Sequence, residues 1–314
     1  MPPEFTVDAK LVLQAALVVF GIVYLVALWR AIGAREREGA SADGRPDGVM
    51  TGVDAPRLAI GFGTNFFDTL GIGSFATTTT LFRFWRLVRD EWIPGTLNVG
   101  HTLPVIVQAI LFTTLVPVES TTLVAMIAAA VLGAWLGAGV VARWPRQRIQ
   151  MGMAICLFGA AALMALTALN LMPGGGEALA LTGPKLVAGV VGNFVLGALM
   201  TLGIGLYAPC MILISLLGMS PTSAFPIMMG SCAFLMPIAS VRFMKAKRFD
   251  LKASLGLLLG GLPAVLIAVY IVGSLPLGVV RWLVVVVVIY TASGLLRTAR
   301  RERAAKLSAD PVAA

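Results

Sequence analysis

Seven runs of about twenty apolar residues punctuate the chain, at positions 11–32, 93–116, 121–142, 149–171, 222–244, 253–273 and 277–296. A helix of about 20 apolar residues is as long as the hydrocarbon core of a bilayer is thick, so each run predicts a membrane-crossing helix. Two further segments are apolar but interrupted. The first, 57–85, is broken at Gly71-Ile72-Gly73 and carries Asn65, Asp68, Ser74 and the run Thr77 to Thr80. The second, 185–219, is broken at Gly203-Ile204-Gly205. The remaining stretches lack an apolar run: a polar loop at 33–56, a Gly/Pro-rich loop at 172–184, and a tail at 298–314 that is expected to be unstructured.

The pattern repeats. Leu70-Gly71-Ile72-Gly73 recurs as Leu202-Gly203-Ile204-Gly205, each copy inside a broken segment that three full runs follow. Gly139-Val140-Val141-Ala142-Arg143-Trp144 resembles Gly278-Val279-Val280-Arg281-Trp282 at the matching place. The chain therefore divides into an N-terminal helix (1–32), a loop (33–56), repeat one (57–171), a second loop (172–184), repeat two (185–297) and the tail.

Composition agrees with the pattern. The 314 residues are 58% hydrophobic and 12% charged, with a mean hydropathy of +0.91. Soluble domains average about 45–50% apolar and about 25% charged residues. A soluble enzyme, a disordered chain and a disulfide-stapled secreted domain are excluded. Cys156, Cys210 and Cys232 form no CxxC and are odd in number, so neither a disulfide framework nor a zinc site is expected. Glu4 and Asp8 precede the first apolar run, which is longer than a signal-peptide core, so no cleaved signal is expected.

The net charge of +9 changes the picture most. Without a soluble basic domain it does not call for nucleic acid; in a membrane protein it marks cytoplasmic loops. If each broken segment crossed the bilayer once, Arg57 and the cluster Arg83, Arg86 and Arg89 would face opposite sides. If each instead turns back at the midplane, every lysine and arginine except Lys10, Lys185 and Arg281 falls on one side. That arrangement puts the N-terminus outside and the C-terminus inside a cytoplasmic, multi-pass membrane. A hairpin plus three crossings is an odd number, so repeat two is inverted. Inverted repeats with broken segments at corresponding places are the pattern of secondary transporters.

At the midplane, the second arm of a broken helix presents backbone N–H groups and the positive end of its dipole, which favour an anion. The candidate substrate-binding residues are Gly71, Gly73, Ser74, Thr77 and Thr78 in the first hairpin. In the second they are Gly203, Gly205, Tyr207, Pro209 and Cys210. Gly and Thr are also close-packing residues of membrane helices, and a Thr hydroxyl can bond back to its own helix. Asp68 is the one acid deep in an apolar segment. It either carries a coupling proton or cation or caps the hairpin tip. His101, the only histidine, is a proton carrier or a satisfied buried side chain. Asn65, Asn98 and Asn193 hydrogen-bond the hairpin backbone or the substrate.

The stretch Gly63-Thr64-Asn65-Phe66-Phe67-Asp68-Thr69-Leu70-Gly71-Ile72-Gly73-Ser74-Phe75-Ala76-Thr77-Thr78, followed by Ile93-Pro94-Gly95-Thr96-Leu97-Asn98-Val99-Gly100-His101-Thr102, resembles the sulfite exporter TauE/SafE family. Ser74 and Phe75 stand where many members carry further glycines, and Thr77 where proline is common; Pro209 keeps that proline in repeat two. The resemblance implies an all-α membrane protein that carries sulfite, a sulfonate such as sulfoacetate, or another small organic acid, with no cofactor. An anion channel is the alternative within transport. A single histidine, one buried acid and no HExxH motif do not make an intramembrane enzyme. Nothing in the sequence calls for a homodimer or excludes one.

Overall fold

The computed structural model describes residues 9–38, 53–70, 73–141, 144–171, 176–200, 206–220 and 223–271, with scattered positions between 289 and 300. Ten helices span them: α1 (Ala9–Glu38), α2 (Ala55–Thr69), α3 (Ser74–Phe84), α4 (Ile93–Leu115), α5 (Ser120–Val141), α6 (Arg146–Ala168), α7 (Gly183–Met200), α8 (Tyr207–Leu216), α9 (Ala224–Lys245) and α10 (Leu251–Ile271). Six stretches of helix, in or around α1, α4, α5, α7, α9 and α10, are long and apolar enough to cross a membrane. The chain is an all-α, multi-pass membrane protein. The last expected run, 277–296, lies almost wholly outside the described residues.

Three of the boundaries that differ from the hydropathy reading have a plain physical reason. Helix α1 continues through Glu38, helix α6 begins at Arg146, and α2 begins at Ala55. The first two are polar turns that extend a helix beyond its apolar run. The third is a capped start. The Asp54 carboxylate accepts the Arg57 N–H at 3.1 Å, and Pro56 lies in the first turn, where its missing N–H costs nothing.

The helix ends sort into two layers. At one end, the Arg57 guanidinium in the first turn of α2 reaches the Leu87 carbonyl, just past α3, at 3.5 Å. The Asp250 N–H, before α10, donates to Thr96 Oγ1, at the start of α4, at 2.9 Å. At the other end, the Glu119 N–H before α5 donates to the Leu179 carbonyl before α7 at 2.9 Å. There too the Ser220 N–H, just past α8, donates to the Ala178 carbonyl at 2.9 Å. The outer ends of α2 and α3 thus lie together at one end, and those of α7 and α8 at the other.

Helices α4 and α9 pack against each other in the centre, while α2 lies along α10 and α5 along α7. Glycines let these backbones touch. A Cβ at Gly61 of α2 would overlap the Gly256 carbonyl of α10, and one at Gly197 of α7 would overlap the Ala130 carbonyl of α5. Close approach through small residues is how membrane helices gain packing without a hydrophobic driving force between them. An asparagine accompanies each contact. Asn65 Nδ2 lies 3.4 Å from the Leu257 carbonyl of α10, and Asn193 Nδ2 donates to the Met126 carbonyl of α5 at 2.7 Å. Helix α1 joins through Tyr24, whose hydroxyl donates to the Val99 carbonyl at 2.5 Å.

Glu119 caps α5 from the loop between two spans. Its carboxylate accepts the N–H groups of Thr121 and Thr122, both at 2.7 Å. Burial pushes its pKa up, but the hydrogen bonds from Thr122 and Thr121 outweigh it and bring the value from 4.5 down to about 2. A folded-state pKa below the unfolded one contributes stability above pH 4.5 that is lost as pH falls through about 2. Glu119→Gln is therefore expected to melt below wild type at pH 7, with the gap narrowing from pH 5 downward. A gap independent of pH in thermal unfolding would refute this.

Candidate functional site

The break after α2 leaves the N–H groups of α3's first turn without helical partners. Gly73 makes the turn, with φ of +88°, a conformation that side chains with a Cβ rarely adopt. The first of those donors is then met from within the chain: Asp68 Oδ1 accepts the Ser74 N–H at 2.5 Å. Both residues are buried. A carboxylate at a helix N-terminus is favoured by the local dipole as well as by the hydrogen bond.

Asp68, Gly73 and Ser74 line a narrow cleft. Its other walls are Phe75 of α3, Val105 of α4, Cys232 and Met236 of α9, and two residues flanking the second break, Met200 and Leu206. Residues before and after positions 71–72, and before and after positions 201–205, thus border one buried space. Sulfur is prominent there: Cys232 Sγ is 3.6 Å from Met200 Sδ.

Behind the cleft, three helices are tied by one imidazole. His101 is fully buried. Its Nδ1 is 3.0 Å from Asn65 Oδ1, and its Nε2 is 3.0 Å from Thr78 Oγ1. The proton positions follow from the ends of this chain. Asn65 Nδ2 donates to the Gly61 carbonyl at 2.7 Å, so Oδ1 faces the ring and can only accept. Nδ1 therefore carries hydrogen, and in the neutral ring Nε2 accepts from the Thr78 hydroxyl. The relay runs from α2 through α4 to α3 and ties α2 and α3 to α4.

The other anticipated residues are placed as follows. The Thr77 hydroxyl donates to the carbonyls of Ser74 at 2.9 Å and Gly73 at 3.2 Å, so it bonds back to its own helix. Asn98 Nδ2 donates to the Pro94 carbonyl at 2.8 Å, also within its own helix. Neither residue borders the cleft. Tyr207 opens α8; its side chain is outside the described residues. Pro209 is half-buried in that first turn. Cys210 is buried but does not line the cleft. Gly71, Gly203 and Gly205 lie outside the described residues.

No family model, curated protein or solved structure matches this chain. Among the described residues no group of three or more His, Cys, Asp or Glu side chains is arranged to hold a metal ion. Val105, Met200, Cys232 and Met236 were not singled out from sequence, since apolar and thiol residues within long runs carry no mark of depth or direction. One signal was available. Laying Leu70-Gly71-Ile72-Gly73 over Leu202-Gly203-Ile204-Gly205 sets His101 opposite Ala233, next to the cleft residue Cys232.

Proposed function

We propose that the protein is a secondary transporter of a small anion, with sulfite or a sulfonate such as sulfoacetate as the substrate class. The observation that carries this reading is a buried cleft bordered by residues on either side of both interruptions, 71–72 and 201–205. Its support from topology is the pairing of helix ends: α2 with α3 at one end, α7 with α8 at the other. Two arms of 15 and 11 residues fit hairpins that enter a bilayer and return, since each is shorter than the roughly 20 residues a span needs. The second pair has arms of 18 and 10 residues; with its outer ends at the opposite face from those of the first pair, the two pairs read as an inverted repeat. The chain's TauE/SafE-like motif supplies the sulfur-anion class.

Asp68 gives the carrier its cycle. Its carboxylate holds the position at α3's N-terminus that a substrate anion would take. Like charges exclude one another in a buried site, so substrate enters as Asp68 takes up a proton or moves aside. The carboxylate then returns to the Ser74 N–H when substrate leaves. An empty carrier with its own anion in place is closed, and a loaded one is neutralised. This links substrate and proton movement without any lysine or arginine in the cleft, and the absence of a fixed cation there favours release.

Uptake of labelled sulfite into proteoliposomes tests the reading. Uptake above protein-free vesicles is expected to rise with a pH gradient and with unlabelled sulfite inside, while labelled chloride does neither. A conducting pore gives no such trans-stimulation, and sulfite flux without it would overturn the carrier mechanism. No flux of sulfite, sulfoacetate or small carboxylates would overturn the transport reading itself.

A further inference from the structure

Helices α1 and α9 leave an open groove of about 500 Å³ between them, within the range of a small-molecule site, about 300–1,000 Å³. Its walls are apolar: Ile22, Val23, Val26 and Ala27 from α1, Val241 and Met244 from α9. Ile22 and Val23 are each 57% exposed. At one end of the groove stand two cations, Arg30 and Lys245. Neither forms an ion pair with another described residue. Their neighbour Arg242 is otherwise engaged: its Nη1 donates to the Trp135 carbonyl at 2.7 Å, and its guanidinium lies 5.0 Å over the Trp135 ring. Trp29, beside Arg30, is 73% exposed. An exposed tryptophan next to a basic residue near the end of an apolar helix marks the headgroup level of a bilayer.

We propose that this groove binds an anionic phospholipid, with an acyl chain along the apolar walls and the phosphate between Arg30 and Lys245. The occupant follows from the groove's chemistry. Apolar walls that open outward along two membrane helices suit hydrocarbon. Two cations together at the headgroup level suit a phosphodiester, which arginine can grip with paired N–H donors. Free phosphate would leave the walls bare. A second copy in a twofold contact would bring the same patch, with the same two cations, against itself. The site is independent of the transport reading. Helix α9 also supplies Cys232 and Met236 to the cleft, so lipid seated here braces a helix that walls it.

Native mass spectrometry of the full-length protein in detergent tests this, titrated with phosphatidylglycerol or phosphatidylcholine of the same acyl chains. Phosphatidylglycerol is expected to be retained in preference, and R30Q/K245Q to reduce that preference about thirtyfold, the scale of two interfacial cations. Arg148→Gln, which removes an exposed cation on α6, is expected to change nothing. Ala27→Trp, which fills the groove and leaves both charges, is expected to lower retention of the lipid as well. Equal retention of the two lipids, or an unchanged preference in R30Q/K245Q, would overturn the proposal. So would displacement of the lipid by millimolar inorganic phosphate, which would make the site one for a free anion. A shift of R30Q/K245Q or Ala27→Trp from dimer to monomer, with lipid retention unchanged, would assign the groove to a second copy instead.

Discussion

Asp68→Asn is expected to cut gradient-driven sulfite uptake at least about tenfold while leaving sulfite–sulfite counterflow largely intact. The side chain accepts the Ser74 N–H across the break between α2 and α3. A hydrogen bond to a charged group contributes about 1.5–3 kcal/mol, and 1.4 kcal/mol corresponds to about a factor of ten. Asparagine keeps an acceptor oxygen for the same donor, so the turn at Gly73 survives. What it loses is the negative charge and the ability to exchange a proton. A neutral cap does not repel the substrate, so exchange in both directions continues. The coupling of substrate to proton has no carrier and disappears. Side-by-side uptake and counterflow in one proteoliposome preparation separates these outcomes. Full gradient-driven uptake by Asp68→Asn would remove Asp68 from coupling. Loss of both activities in a well-folded variant would make the charge itself a requirement for binding.

The second large effect concerns the contacts between the two halves. Gly61→Ala and Gly197→Ala are each expected to lower stability by about 1–3 kcal/mol, the range for forcing extra volume into a packed interior. The new methyl group at Gly61 meets the Gly256 carbonyl, and the one at Gly197 meets the Ala130 carbonyl. These are backbone atoms of neighbouring helices, which cannot turn aside as a side-chain tip does. Gly63→Ala is the control. It lies on α2 two residues from Gly61, with nothing within 4 Å of the added carbon. There the better helix propensity of alanine, about 1 kcal/mol over glycine, is expected to leave the melting point level or raised. Thermal unfolding in detergent distinguishes the three. Melting of all three variants together would mean that α2 and α7 do not lie this close to α10 and α5.

Long apolar runs made most of the architecture legible. The runs at 93–116 and 121–142 and helices α4 and α5 agree within a residue at each end, because only one way of satisfying twenty apolar residues' backbone polar groups in a bilayer is a helix. The polar extensions of α1 and α6 were hidden for the complementary reason: hydropathy does not separate a wet helical turn from a loop. Asp54-Ala55-Pro56 carried a cap-and-proline start signal that hydropathy alone reads as loop. At the cleft, Asp68, Gly73 and Ser74 stood out because a carboxylate and a break are rare in an apolar segment. Thr77 illustrates the limit. Its residue type is that of a donor to a ligand, but its hydroxyl is used on Gly73 and Ser74, a choice set by side-chain direction on the helix rather than by composition.

The crosswise packing of α2 on α10 and α7 on α5 bears on how the molecule is made. Asn65 and its partner Leu257 are 192 positions apart, so a ribosome finishes α2 long before its seat exists. Until α10 arrives, the first half must hold a short, polar-dotted arm without the backbone surface that accommodates Gly61. Contacts of such long range are slow to form and leave early segments exposed. For α7 the order is reversed, since α5 is already in place when it emerges. Helix α7 can dock as it is synthesised, while α2 waits for the far end of the chain.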